Sequence, residues 1–125
     1  MKRILVVEDD VIMRETLIDI LRFEGYDVSA ADGGHGALEK ICSSTFDLIV
    51  TDVLMPDRDG FDVITEAKQK CPEIKVIAIS GGGYISSDSY LKMASEAGAD
   101  DTLSKPFDVD ELLLKTKELL REAAL

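Results

Sequence analysis

The sequence contains no run approaching the ~20 apolar residues that a membrane-spanning helix requires. Met1-Lys2-Arg3 leads only into the short stretch Ile4-Leu5-Val6-Val7 before acids intervene, which disfavours a secretory leader. A soluble, unexported, cytoplasmic protein is expected. Basic residues are scarce, with 14 Lys and Arg against 25 Asp and Glu and a formal charge of -11. Such a surface repels the phosphate backbone, so nucleic acid is not expected as a direct partner. Cys42 and Cys71 form no Cys-x-x-Cys motif and fall in helical patterns, where buried free thiols in a reducing compartment are the ordinary reading. His35, the sole histidine, fits a surface residue at a helix start better than a metal ligand or an acid-base group. Gly33-Gly34-His35-Gly36 and Gly81-Gly82-Gly83 lack both the dinucleotide fingerprint spacing and the Gly-Lys-Ser/Thr of a phosphate loop, and read as turns.

What is present fits one α/β domain spanning residues 1–125. At 125 residues and 46% hydrophobic content, the chain can bury roughly two thirds of its unfolded surface. Short apolar runs alternate five times with amphipathic stretches, the pattern of parallel strands joined by helical crossovers. Strands are expected near 3–8, 27–31, 46–51, 74–79 and 99–103. The third and fourth are apolar enough to be central, and the second belongs at an edge. Helices are expected from about Val11 to Glu24, stopping at Gly25, and from Gly36 to Cys42. A third carries Phe61, Ile64, Ala67 and Cys71 before Pro72, and a fourth carries Leu91, Ala94 and Ala97 before Gly98. The fifth opens with Asp108 and Glu111 at capping-box spacing and packs through Val109, Leu112, Leu113, Thr116, Leu119 and Leu120, leaving Leu114 exposed.

The chemistry gathers at strand ends. Phe46-Asp47-Leu48-Ile49-Val50-Thr51 is followed by Asp52, expected exposed at the end of a buried strand. Ile4 to Val7 run into Glu8-Asp9-Asp10, the fourth strand ends at Ser80, and Leu103-Ser104 run into Lys105-Pro106. In a parallel sheet all carboxyl ends lie along one edge, where ligands bind. Carboxylates brought together without compensation raise one another's pKa, so a cation is expected among Glu8, Asp9 and Asp52. Oxygen-only ligands without nearby His or Cys suit Mg²⁺. Beside such an ion Asp52 is placed as nucleophile toward a phosphoryl group, with Lys105 and Ser80 supplying charge and a hydrogen bond to the phosphoryl oxygens. The bland alternative makes Glu8 to Asp10 a helix cap, Asp52 a turn residue, Ser80 a loop hydroxyl and Lys105 a solvated charge. Their joint occurrence along one edge disfavours it.

The segments Ile4-Leu5-Val6-Val7-Glu8-Asp9-Asp10, Asp52-Val53-Leu54-Met55-Pro56-Asp57 with Asp59-Gly60, Ile79-Ser80-Gly81 and Lys105-Pro106-Phe107 together resemble the receiver domain of two-component response regulators. The resemblance spans the chain. It implies a doubly wound, flavodoxin-like sheet of order 2-1-3-4-5 with helices on both faces. It also implies Asp52 as phosphoacceptor, Glu8 and Asp9 as the acidic pair with Asp9 the direct Mg²⁺ ligand, and the Leu54 carbonyl as a further ligand. Ser80 would be the switch hydroxyl, Lys105 the phosphate-contacting lysine, and the Lys105-Pro106 bond cis. A sensor histidine kinase or phosphotransfer protein would donate the phosphoryl group to a stand-alone switch, which is not an enzyme and whose output passes through another protein.

The chain departs from the receiver pattern at three places. Thr102 stands where many receivers carry Tyr or Phe. Leu54 and Gly82 offer no polar group to place a hydrolytic water, so slow phosphoryl loss is expected, and the triple glycine after Ser80 should loosen that loop. Three other readings compete. A phosphatase of the haloacid dehalogenase type needs a second acid where Leu54 stands. A calcium loop through Asp57, Asp59, Gly60 and Glu66 would begin at Met55, which cannot ligate. A degenerate receiver acting as a constitutive binding module would not need the intact acid set.

Overall fold

The computed structural model describes residues 1–53, 60–80 and 87–120, the side chains of 87–91 excepted. Five strands, β1 (Arg3–Val7), β2 (Asp27–Ala31), β3 (Leu48–Asp52), β4 (Lys75–Ser80) and β5 (Asp101–Ser104), alternate with five helices. The helices are α1 (Val11–Phe23), α2 (Gly34–Ser43), α3 (Gly60–Lys70), α4 (Ser87–Ala97) and α5 (Val109–Leu120). All strand pairs are parallel, in the order β2-β1-β3-β4-β5. The doubly wound order and the edge position of β2 match the expectation.

Strand side chains alternate between two cores because successive residues point to opposite faces of a sheet. Leu5, Val7, Ile49, Val76 and Ala78 pack with Ala37 and Ile41 of α2, Val63, Ile64 and Ala67 of α3, and Ala94 of α4. Ile4, Val6, Leu48, Val50, Ile77 and Ile79 pack with Leu17, Ile18 and Leu21 of α1 and with Leu112 and Leu120 of α5. Helices α2, α3 and α4 thus cover one face, and α1 and α5 the other. Burial on both faces is why β1, β3 and β4 read as unbroken apolar runs. No helix of the described residues is long and apolar enough to cross a membrane.

Helix ends follow local chemistry. Asp10 caps α1, its carboxylate accepting from the N–H groups of Ile12 and Met13 at 2.9 and 3.3 Å. Gly25, just past α1, takes φ 97°, a left-handed conformation that glycine adopts without steric cost.

Several local expectations need correction. Helix α2 begins at Gly34 rather than Gly36, and His35 is exposed in its first turn. Cys42 is exposed rather than buried, one residue off the stripe of Gly34, Ala37 and Ile41, while Cys71 is half-buried just beyond α3. Val109, the first residue of α5, lies a turn short of the first buried position at Leu112 and is 43% exposed. The capping box is only half formed. Asp108 accepts from the Asp110 N–H, whereas the Glu111 carboxylate turns to Lys115 at 3.4 Å. Leu114 is exposed as expected.

Candidate functional site

Register brings the acids together. Strands β1 and β3 pair Val6 with Val50 and Val7 with Thr51, so one further step sets Glu8 beside Asp52. Both residues share parity with the side chains facing α1 and α5, and so lean to the same side of the sheet. Across the next two ladders Asp52 pairs with Ile79 and Ser80 with Ser104, and the Lys105 N–H donates to the Ser80 carbonyl at 2.8 Å. Glu8, Asp52, Ser80 and Lys105 therefore occupy four adjacent strand ends.

The side chains close on one another. Lys105 Nζ donates to Glu8 Oε1 at 2.9 Å and to Asp52 Oδ2 at 3.2 Å. Carboxylate oxygens of Glu8, Asp9 and Asp52 all lie within 4.8 Å of one another. Glu8 is 1% exposed and Asp52 7%, so Asp52 is buried at the strand end rather than exposed as expected. Three strands converge there, and the Lys105 ammonium covers the carboxylate. Ser80 is fully buried at the end of β4, and the Lys105-Pro106 peptide is cis.

Burial is the largest influence on Glu8 and pushes its carboxyl up; the Lys105 hydrogen bond pulls it back, and the Asp52 charge pushes it up again, leaving it at about 7. Burial acts to lower Lys105, but the two carboxylates outweigh it and hold the ammonium above its ordinary value. One ammonium thus only partly compensates three clustered acids. Asp9 is exposed, and among the described residues its carboxylate has no hydrogen-bond or ion-pair partner. An unpartnered carboxylate against two buried ones, all oxygen donors, fits a hard divalent cation such as Mg²⁺.

Two features were not assigned a role from the sequence. A Cβ on Gly60 would lie 2.5 Å from Val53 Cα and against the Asp52 carbonyl oxygen, so α3 can seat on the end of β3 only through a bare glycine. A glycine opening an amphipathic helix after the acid-rich sequence Asp57-Arg58-Asp59 was the available signal. Arg14 Nη1 donates to the Glu8 carbonyl at 2.9 Å, and α1 periodicity alone does not mark that contact. Leu54, the segment from Met55 to Asp59 and the triple glycine Gly81-Gly82-Gly83 lie outside the described residues. A cavity of about 530 Å³ lined by Lys2, Phe46, Cys71 and Leu120 sits at the amino ends of the strands and shares no residue with the acid cluster.

Comparison with known proteins agrees with this geometry. Residues 4–117 match the family model described as the response regulator receiver domain. Response regulator MprA of Mycobacterium ulcerans is 40% identical over 124 residues, covering 98% of this chain and 52% of that protein. The chain thus spans about half the length of the curated relatives it matches. A CheY-like receiver domain protein from Methanospirillum hungatei superposes with a TM-score of 0.89 at 34% identity, covering 98% of this chain and 95% of that one. Response regulator TrrA of Thermotoga maritima, solved in complex with Mg²⁺ and beryllofluoride, gives 0.84 at 38% identity, covering 95% and 99%. With the sheet order, the acid cluster and the lysine in place, the chain belongs to the receiver domains of two-component response regulators.

Proposed function

We propose that this chain is a phosphorylation switch that accepts a phosphoryl group on Asp52 in the presence of Mg²⁺. The observation that carries the reading is the meeting of Glu8, Asp9 and Asp52 within 4.8 Å under the Lys105 ammonium. Asp9, Asp52 and the Leu54 carbonyl would hold the ion, with Glu8 beside them. Bound there, Mg²⁺ would neutralise phosphoryl oxygens and orient their approach.

An Asp52 carboxylate oxygen bonds to phosphorus as the bond from phosphorus to the donor's imidazole nitrogen breaks, and the freed imidazole takes up a proton. Lys105 shifts its hydrogen bond from the carboxylate to a phosphoryl oxygen, which keeps the added charge paired. The Ser80 hydroxyl supplies a second donor. Phosphorylation adds about -1.5 to -2 charge beside buried acids, which favours a new arrangement of the surface made by α4, β5 and α5. The donor is a sensor histidine kinase or phosphotransfer protein, in keeping with the receiver family match, and the output is binding of another protein. The chain handles its own phosphoryl group rather than turning over phosphate esters.

Incubation with acetyl phosphate and Mg²⁺, followed by intact mass, tests the reading. Wild type should gain one phosphate, and Asp52→Asn should gain none. Equal labelling of both, or none of either, would refute it. Co-purification with and without beryllofluoride would then identify the protein bound in the switched state.

A further inference from the structure

We propose that Arg14 is a positioning residue for the metal site, acting through the Glu8-Asp9 peptide. This rests on the reading of Asp9 as an Mg²⁺ ligand. Glu8 is tied down at several points: its N–H donates to the Ala31 carbonyl at 3.1 Å, one step beyond the β1-β2 register, and its carboxylate accepts from Lys105 and from the Asp10 N–H at 3.2 Å. Asp9, the next residue, has none of this support. It is exposed, and among the described residues its carboxylate has no partner. Its aim is therefore set by the main chain it hangs from.

The peptide plane between Glu8 and Asp9 contains the Glu8 carbonyl, and that carbonyl accepts from Arg14 Nη1 at 2.9 Å. Arg14 is itself anchored. It lies in the first turn of α1, its N–H donates to the Asp10 carbonyl at 2.9 Å, and Asp10 caps the same helix. Glu8, Asp9 and Asp10 thus form a three-residue bridge from β1 to α1, which the guanidinium spans from the helix side. The guanidinium makes no ion pair among the described residues, so this hydrogen bond is its one described polar contact. Groups behind a metal ligand fix its orientation, and losing one typically weakens metal affinity by about 10- to 100-fold.

The sign of the effect separates positioning from plain electrostatics. A cation near an acidic site repels Mg²⁺, so removing it by charge alone would tighten binding. Positioning predicts the opposite. Mg²⁺ affinity is measured by calorimetry on the folded wild type, Arg14→Met, Arg14→Lys and Asp9→Asn, with thermal unfolding recorded for each. Arg14→Met should bind Mg²⁺ about tenfold more weakly, and Arg14→Lys, which can still donate to the carbonyl, should recover most of that loss. Saturating Mg²⁺ should restore acetyl phosphate labelling of Arg14→Met to the wild-type extent. Should Arg14→Met fail to fold, Arg14→Gln, neutral and too short to reach the carbonyl, should show the same weakening. Unchanged or tighter binding in Arg14→Met or Arg14→Gln overturns the inference while leaving the site reading intact, provided Asp9→Asn is weakened. Loss of Mg²⁺ binding in none of the variants, Asp9→Asn included, overturns both.

Discussion

Protonation of Glu8 offers the sharpest test of the site's electrostatics. Its carboxyl is 1% exposed and stands at about 7 in the folded, metal-free chain against 4.5 in the unfolded one, with burial the main cause. Between those values the folded state binds more protons than the unfolded state, so stability falls as pH rises through the window. The penalty is absent below about 4.5, complete above about 7, and amounts to about 3 kcal/mol. Urea unfolding from pH 4.5 to 8, compared between wild type and Glu8→Gln, isolates it from the other carboxylates. Wild type should lose about 3 kcal/mol relative to the variant across that range.

Mg²⁺ should reverse the cost, because the ion favours the ionised carboxylate. A site needing Glu8 ionised binds Mg²⁺ about tenfold more tightly at pH 8 than at pH 6, and takes up the ion with proton release near pH 7. In Glu8→Gln the dependence should flatten. Parallel unfolding curves for the two proteins, or an equal pH slope of Mg²⁺ affinity in both, would refute the assignment of a raised pKa to this carboxyl.

Gly60→Ala should destabilise the fold by about 1–3 kcal/mol, since its Cβ meets backbone atoms of Asp52 and Val53 that cannot swing aside; an unchanged urea midpoint would argue against the close approach. Lys105→Met leaves two buried carboxylates without their cation and should cost about 3 kcal/mol at pH 8 and less at pH 6, where Glu8 takes up a proton. A loss independent of pH would contradict that account. Asp10→Ala removes the α1 cap and should cost about 1 kcal/mol by the same measurement, and a neutral result would show that the two capping hydrogen bonds carry no weight.

The sequence by itself determined the layer architecture and the contents of one edge. Alternating apolar runs and amphipathic stretches dictate parallel strands with helical crossovers, and parallel strands must carry Glu8, Asp9, Asp52, Ser80 and Lys105 on a common rim. Helix faces were legible wherever the apolar stripe was unbroken, as at Ile64 and Ala67 or Leu112 and Leu120. They were misjudged at Cys42 and Val109, where a residue type suggests burial but its angle or its place at a helix end leaves it outside.

Only the tertiary structure decided how the rim closes. Interstrand register, not composition, sets Glu8 beside Asp52, and a slip of one residue would turn the two carboxylates to opposite faces. Residues 8, 52 and 105 meet because three hydrogen-bonded ladders align them, which no local pattern encodes. The burial of Asp52, the bare seat at Gly60 and the reach of Arg14 to the Glu8 carbonyl arise from the packing of α1 and α3 against the strand ends. Sequence periodicity fixes which side of an element faces inward, whereas distances between elements depend on how all of them pack at once.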